Sequence, residues 1–128
     1  MPDRIQRILT AYAAFNRRDF ATAFAMLAPG VEWSATLGGN VLRGDKAVRQ
    51  YWGAVSASVE WRPEPDELRQ RGERIFMVVH QRIQDANTTA VNDFRIAHIL
   101  TFRGDQLVRL QAFDSMDEGL AALFRSGE

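Results

Sequence analysis

One row of side chains constrains this 128-residue chain more than any other. Between Asp93 and Arg103, Phe94, Ile96, His98, Leu100 and Phe102 recur at every second position. Asp93, Arg95, Ala97, Thr101 and Arg103, with Ile99, take the alternate positions. A period of two describes a strand that buries one face. Arg103-Gly104-Asp105-Gln106 then turns the chain, and a second long strand runs back to Asp114. His98 is the polar member of an otherwise apolar row. A buried polar group left without a partner costs about 1–3 kcal/mol. His98 is therefore either a satisfied core histidine or the polar feature of a pocket.

The turn decides what faces His98. A two-residue loop, Gly104-Asp105, sets His98 opposite Gln111 and pairs the apolar row with Leu107, Arg109, Gln111 and Phe113. A three-residue loop, with a bulge at Asp105 or Gln106, sets His98 opposite Ala112 and pairs the row with Val108, Leu110 and Ala112. The second register buries no arginine and is preferred. It also puts Asp114 diagonally across from His98 on the same face, and it requires Asp or Gln in the left-handed conformation.

Upstream the period is 3.6. Asp3 caps a first helix with Ile5, Ile8, Leu9, Tyr12 and Phe15 on one face. Asp19 caps a short second helix that buries Phe20, Ala23, Phe24 and Leu27, and Pro29-Gly30 ends it. Val31 to Ser34 is a brief strand, and Leu37-Gly38-Gly39-Asn40 a loop. Gly44-Asp45 opens a third helix with Val48, Tyr51, Trp52 and Val55 on its apolar stripe, which Val59 can extend. From Trp61 the period becomes two. Pro63 and Pro65 confine their strand to a sheet edge or a bulge, because proline donates nothing to a ladder. Gly72 turns the chain into a strand from Ile75 to Gln84 with a continuous apolar centre, Ile75 to Val79. Ser115 and Glu118 form a capping box for a last helix carrying Leu120, Leu123 and Phe124. The order is three helices with one short strand, a four-strand antiparallel meander, and a short helix. That is an α+β fold in one domain spanning residues 1–128. A strongly twisted sheet wrapped over helices can enclose a cone with a cavity at its wide end.

Composition narrows the partners. Lys+Arg and Asp+Glu each count 16, so no basic surplus favours a nucleic-acid partner. No apolar run approaches ~20 residues, which leaves no membrane span, and the first residues, Met-Pro-Asp-Arg-Ile-Gln-Arg, carry no apolar signal core. A cytoplasmic location is the expectation. Zero net charge, and a sheet face with Ala97, Ile99 and Thr101 among charges, suggest a homodimer through that face. With no cysteine and two isolated histidines, no metal site is expected.

Several stretches, taken together and in order, resemble the SnoaL-like branch of the NTF2-like cone fold. They are Tyr12-Ala13-Ala14-Phe15-Asn16-Arg17-Arg18-Asp19, Val31-Glu32-Trp33, and Leu42-Arg43-Gly44 with Ala47-Val48. The strongest is His98 to Arg109, followed by Asp117-Glu118-Gly119-Leu120. The resemblance implies a curved antiparallel sheet around three N-terminal helices, and a fold that hosts isomerases, polyketide cyclases, epoxide hydrolases, dehydratases and non-enzymatic modules. The catalytic positions of these relatives are mostly altered here. The isomerase base falls near Ala35, the isomerase tyrosine near Ala11 beside Tyr12, and the isomerase oxyanion-hole aspartate at His98. The acid that cyclases and epoxide hydrolases carry on the last strand falls at Ala112, with Asp114 two residues on. Where the hydrolases need Arg-x-Asp, this chain has His80-Gln81-Arg82.

The candidate catalytic pair is thus His98 and Asp114, the latter equally suited to serve the last helix N-terminus. Tyr12, Trp33, Trp52, Phe94, Leu100, Leu110 and Ala112 are the candidate ligand-binding residues, and the face occupied by His80 is open. Two functions fit. One is cofactor-independent acid–base chemistry on a small apolar carbonyl or hydroxyl compound. The other is a ligand-binding or structural homodimeric module without turnover.

Overall fold

The computed structural model describes residues 3–34, 40–85, 91–113 and 115–124. Helix α1 spans Arg4–Asn16, and its Asp3 cap accepts a hydrogen bond from the Gln6 backbone N–H at 2.7 Å. Its buried stripe is Ile8, Ala11, Ala14 and Phe15, with Ile5 and Tyr12 half-buried. Leu9, expected in that stripe, is exposed, because the two alanines rotate the buried centre away from it. Helix α2 is a single turn, Phe20–Ala23, capped by Asp19. Leu27, expected at its end, opens strand β1, Leu27–Trp33. Pro29-Gly30 therefore lies inside a strand, where the pairing register shifts. Strand β2, Leu42–Arg43, pairs with β1 and precedes helix α3, Asp45–Ser58. Four strands follow: β3 Val59–Arg71, β4 Arg74–Asp85, β5 Val91–Arg103 and β6 Gln106–Phe113. Helix α4, Met116–Phe124, comes last among the described residues.

These strands form one six-stranded sheet in the order β2-β1-β6-β5-β4-β3. The meander is antiparallel as expected, but β1 runs parallel to β6, so the sheet is mixed. Strand β3 is an edge strand and carries a bulge between Pro65 and Glu67, and either setting accommodates its prolines.

The β5–β6 hairpin combines the two expected registers. The loop is the two-residue one: Arg103 pairs with Gln106, and Gly104 takes φ 60°. Glycine alone enters that left-handed region at little cost, which removes the need for Asp or Gln there. The register is nonetheless the preferred one, with His98 opposite Ala112 and Leu100 opposite Leu110. An extra residue, Val108, reconciles them, because Phe102 pairs with Leu107 while Thr101 pairs with Arg109. The bulge turns Leu107 and Leu110 toward the same interior and keeps Arg109 out of it.

The helices and the concave sheet face share the main core, which includes Ile8, Val31, Val48, Ile75, Leu100, Leu107 and Leu110. Arg4, Arg7, Asn16 and Arg18 fasten the first helix and its end to the sheet. Arg4 Nε donates to the Gly104 carbonyl at 3.1 Å, and Arg7 pairs with Asp105 at 3.5 Å. Arg18 donates to the Trp61 carbonyl at 3.1 Å, and Asn16 to that of Pro63 at 2.8 Å.

The convex face has its own small core. Helix α4 covers Phe76, Val78, Ala97 and Ile99 with Gly119, Ala122 and Leu123. A Cβ on Gly119 would lie 2.8 Å from Phe76 Cε1 and 2.9 Å from the Ala97 Cβ, so glycine sets how close the helix comes. Ser115 caps α4 by accepting the Glu118 N–H at 3.1 Å. Arg71 and Arg74 donate to the Leu123 and Ala122 carbonyls at its other end. Phe124 is 61% exposed, with the Arg71 guanidinium 5.1 Å from its ring centre. Ala97 and Ile99, expected to meet a second copy, are thus buried by the chain's own last helix.

Candidate functional site

The alternating row of β5 runs from solvent into the closed interior. Phe94 is 41% exposed, Ile96 is half-buried, His98 is 3% exposed and Leu100 is 0%. A cavity of about 260 Å³ lies over the outer part of this row. Phe94, Ile96 and His98 form its β5 wall, Ala112 its β6 wall, and Gln81 its β4 wall. Trp61 and Pro63 come from β3, and Trp33 from β1. The helical side contributes Ala11, Tyr12 and Phe15 from α1, Trp52 from α3, and Phe24 and its neighbours after α2.

Aromatic rings hold this wall. Trp52 stands edge-on to four of them, with centroids at 5.4 Å to Phe15, 6.4 Å to Trp33, 5.2 Å to Tyr51 and 5.0 Å to Trp61. Such pairs each contribute about 0.5–1.5 kcal/mol beyond their burial, so the wall is stiff. Ser34 fixes the β6 side. Its N–H donates to the Leu110 carbonyl at 3.0 Å, and its Oγ accepts from the Ala112 N–H at 3.1 Å.

Four buried polar atoms in the wall have no hydrogen-bond partner. Neither ring nitrogen of His98 has a hydrogen-bond partner, and the same is true of Gln81 Oε1 and Trp52 Nε1. Burial lowers the His98 pKa from 6.5 to about 4, so the imidazole is neutral near pH 7. Burial also raises that of the Tyr12 phenol, which stays protonated. No formal charge lines the cavity among the described residues. A neutral imidazole offers one donor and one acceptor, and in an apolar wall it suits a ligand carbonyl or hydroxyl.

Of the expected ligand-binding residues, Tyr12, Trp33, Trp52, Phe94 and Ala112 lie in the wall. Leu100 and Leu110 do not. They pair with each other one step beyond His98 and Ala112, where core side chains already fill the narrow end. Asp114, with Ala35, lies outside the described residues. His80 is on the convex face, against Asp93, and takes no part. Gln81 was not anticipated, although the signal was present. Ile75, Met77, Val79, Gln81 and Ile83 form a second period-two row with one polar member. The unbroken apolar run Ile75 to Val79 hides that alternation. Among the described residues no group of three His, Cys, Asp or Glu could hold a metal ion, and no helix is long and apolar enough to cross a membrane.

No curated protein matches this chain. An NTF2-like protein of unknown function from Burkholderia pseudomallei is similar to it in structure, with 26% identity, a TM-score of 0.79, and coverage of 98% of this chain and 100% of the other. A putative polyketide cyclase from Pseudomonas putida shares 15% identity, with a TM-score of 0.74 over 91% and 95% of the two chains. A hypothetical protein with a ketosteroid isomerase-like fold from Catenulispora acidiphila, in complex with trimethylamine, shares 14% identity, with a TM-score of 0.73 over 94% and 92%. The model of the SnoaL-like domain matches residues 8–110, which carry most of the cone and most of its cavity wall, and the chain belongs to that family.

Proposed function

We propose that this protein binds a small, mostly apolar molecule through its carbonyl or hydroxyl group, with His98 as the polar anchor inside the cone. The observation that carries this reading is a buried imidazole in an apolar cavity wall with neither nitrogen bonded. A buried polar atom that no protein group satisfies costs free energy that a ligand hydrogen bond offsets. The trimethylamine complex of the Catenulispora acidiphila protein supports ligand binding by this fold, while the choice of carbonyl or hydroxyl rests on His98 alone.

The same imidazole favours a second reading, cofactor-independent acid–base catalysis of the isomerase or cyclase kind. An imidazole held neutral by burial donates to a carbonyl oxygen that gains negative charge in the transition state. Proton transfer then needs a carboxylate. None lines the cavity among the described residues, and Asp114 is the acid nearest in sequence to the wall residue Ala112.

Native mass spectrometry of protein taken directly from cells tests the first reading. A bound small molecule that is lost in His98→Gln, with the fold intact by circular dichroism, is the expected result. Protein that carries nothing, and a His98→Gln variant that matches wild type across a small-molecule thermal-shift screen, would overturn it. Turnover of such a ligand, weakened more than its binding by Asp114→Asn, separates the catalytic reading from the binding one.

A further inference from the structure

Gln81 is the second buried polar side chain of the cavity wall. It is 6% exposed, and its Oε1 has no partner. It stands opposite Phe94 on the neighbouring strand, whereas His98 stands opposite Met77. The two polar side chains are thus separated by four residues along the sheet, about 13 Å of strand. They point to the same concave side and leave each other unbonded. His98 lies toward the closed end, and Gln81 lies level with Phe94, the most exposed part of the wall.

Size and charge sharpen the picture. A dry apolar cavity of about 150 Å³ accepts benzene, so about 260 Å³ accommodates roughly ten to twelve non-hydrogen atoms. That is one or two rings, and about half of a four-ring steroid. With no formal charge in the described wall, a charged ligand would be desolvated without a counter-ion.

We propose that the cavity selects a neutral one- or two-ring molecule with a polar group at each end, a carbonyl accepting from His98 and a hydroxyl meeting the Gln81 amide. This rests on the pocket-binding reading above and makes Gln81 its specificity-determining residue. The unpaired Oε1 is an acceptor, which a ligand hydroxyl satisfies by donating.

Calorimetric titration with four probes tests it: 1-tetralone, 6-hydroxy-1-tetralone, the anion of 6-carboxy-1-tetralone, and progesterone. Wild type is expected to bind the hydroxytetralone roughly tenfold tighter than tetralone, the worth of one buried hydrogen bond. Gln81→Met, nearly equal in volume, is expected to bind the two within about twofold while keeping its affinity for tetralone. Retained tetralone binding shows that the variant's pocket is intact, and Gln81→Leu replaces it if Gln81→Met fails to fold. Equal binding of the two tetralones by wild type, or a preference that survives in both Gln81 variants, would overturn the role of Gln81. Carboxylate or progesterone binding as tight as that of the hydroxytetralone would overturn the charge or size limit. Failure of all four probes to bind wild type would remove the pocket reading itself, and this inference with it.

Discussion

His98 joins two costs that oppose each other. Buried at 3% exposure, its imidazole loses water, and it gains no protein partner at either nitrogen. Replacement by leucine removes both unpaired atoms and keeps an apolar side chain of similar reach. His98→Leu is therefore expected to leave stability at pH 7 unchanged or raised by up to about 2 kcal/mol, while small-molecule binding is lost; urea denaturation beside a thermal-shift screen reads both. The pH dependence has a definite sign. The folded-state pKa is about 4, below the ordinary 6.5, so between these values the unfolded chain binds the extra proton. Wild type then loses stability as pH falls through that window, by roughly 3 kcal/mol at its end, and His98→Leu lacks this component. Urea midpoints of the two proteins at pH 7 and pH 4.5 should diverge on the acid side; parallel behaviour would mean that His98 reaches water or a partner.

At the scale of elements, two devices fix the cavity. The first is the β6 bulge. If Val108 were paired with Thr101 and not bulged out, the two-residue turn would bring Arg109 and Gln111 to the interior and Ala112 to the outside. Deleting Val108 leaves Thr101 opposite Arg109, and so preserves the pairing of His98 with Ala112. Deleting Gln111 instead flips every later residue of the strand. The first deletion is expected to fold and keep the pocket, and the second to lose it, as judged by tryptophan fluorescence and tetralone binding. The second device is the contact of α4 with the sheet at Gly119. Gly119→Ala gains about 1 kcal/mol of helix propensity. It also drives a methyl into Phe76 and Ala97, at a cost of about 1–3 kcal/mol. Net destabilisation is expected because one of the opposing atoms, the Ala97 Cβ, cannot rotate away. A lower urea midpoint, partly restored by Phe76→Leu, is the checking result.

At the scale of the whole molecule, the sheet's uncovered face bears on assembly. We propose a homodimer, on the grounds of zero net charge and of a convex face only part of which α4 covers. Gly30, Thr101, Val108 and Gln111, with Glu32, Arg43, Arg74 and Arg109 around them, line a groove on that face. Sedimentation at micromolar concentration should give about twice the 14.5 kDa chain mass; a 14.5 kDa species would set the proposal aside.

The sequence by itself determined the kind of fold and the side of the sheet on which His98 lies. Both follow from periodicity, which is a local property: 3.6 in the helices, two in the strands, with Pro63 and Pro65 marking an edge. The preference for burying no arginine also chose the correct partner for His98. The tertiary structure decided what local pattern does not encode. The parallel pairing of β1 with β6 joins residues far apart in the chain. Val108 as the site of the bulge emerged only when a two-residue turn and a buried leucine row had to be satisfied together. Leu100 and Leu110 share the inward face with His98, yet they are floor and not wall, because how deep the cone is filled depends on helices that pack from elsewhere. Whether α4 or a second copy covers Ala97 and Ile99 likewise depends on where the last helix lands. Gln81 joined the site for the same reason: its strand is apolar on both faces, Phe76 and Val78 lying under α4, and two-sided burial erases the alternation that made His98 legible.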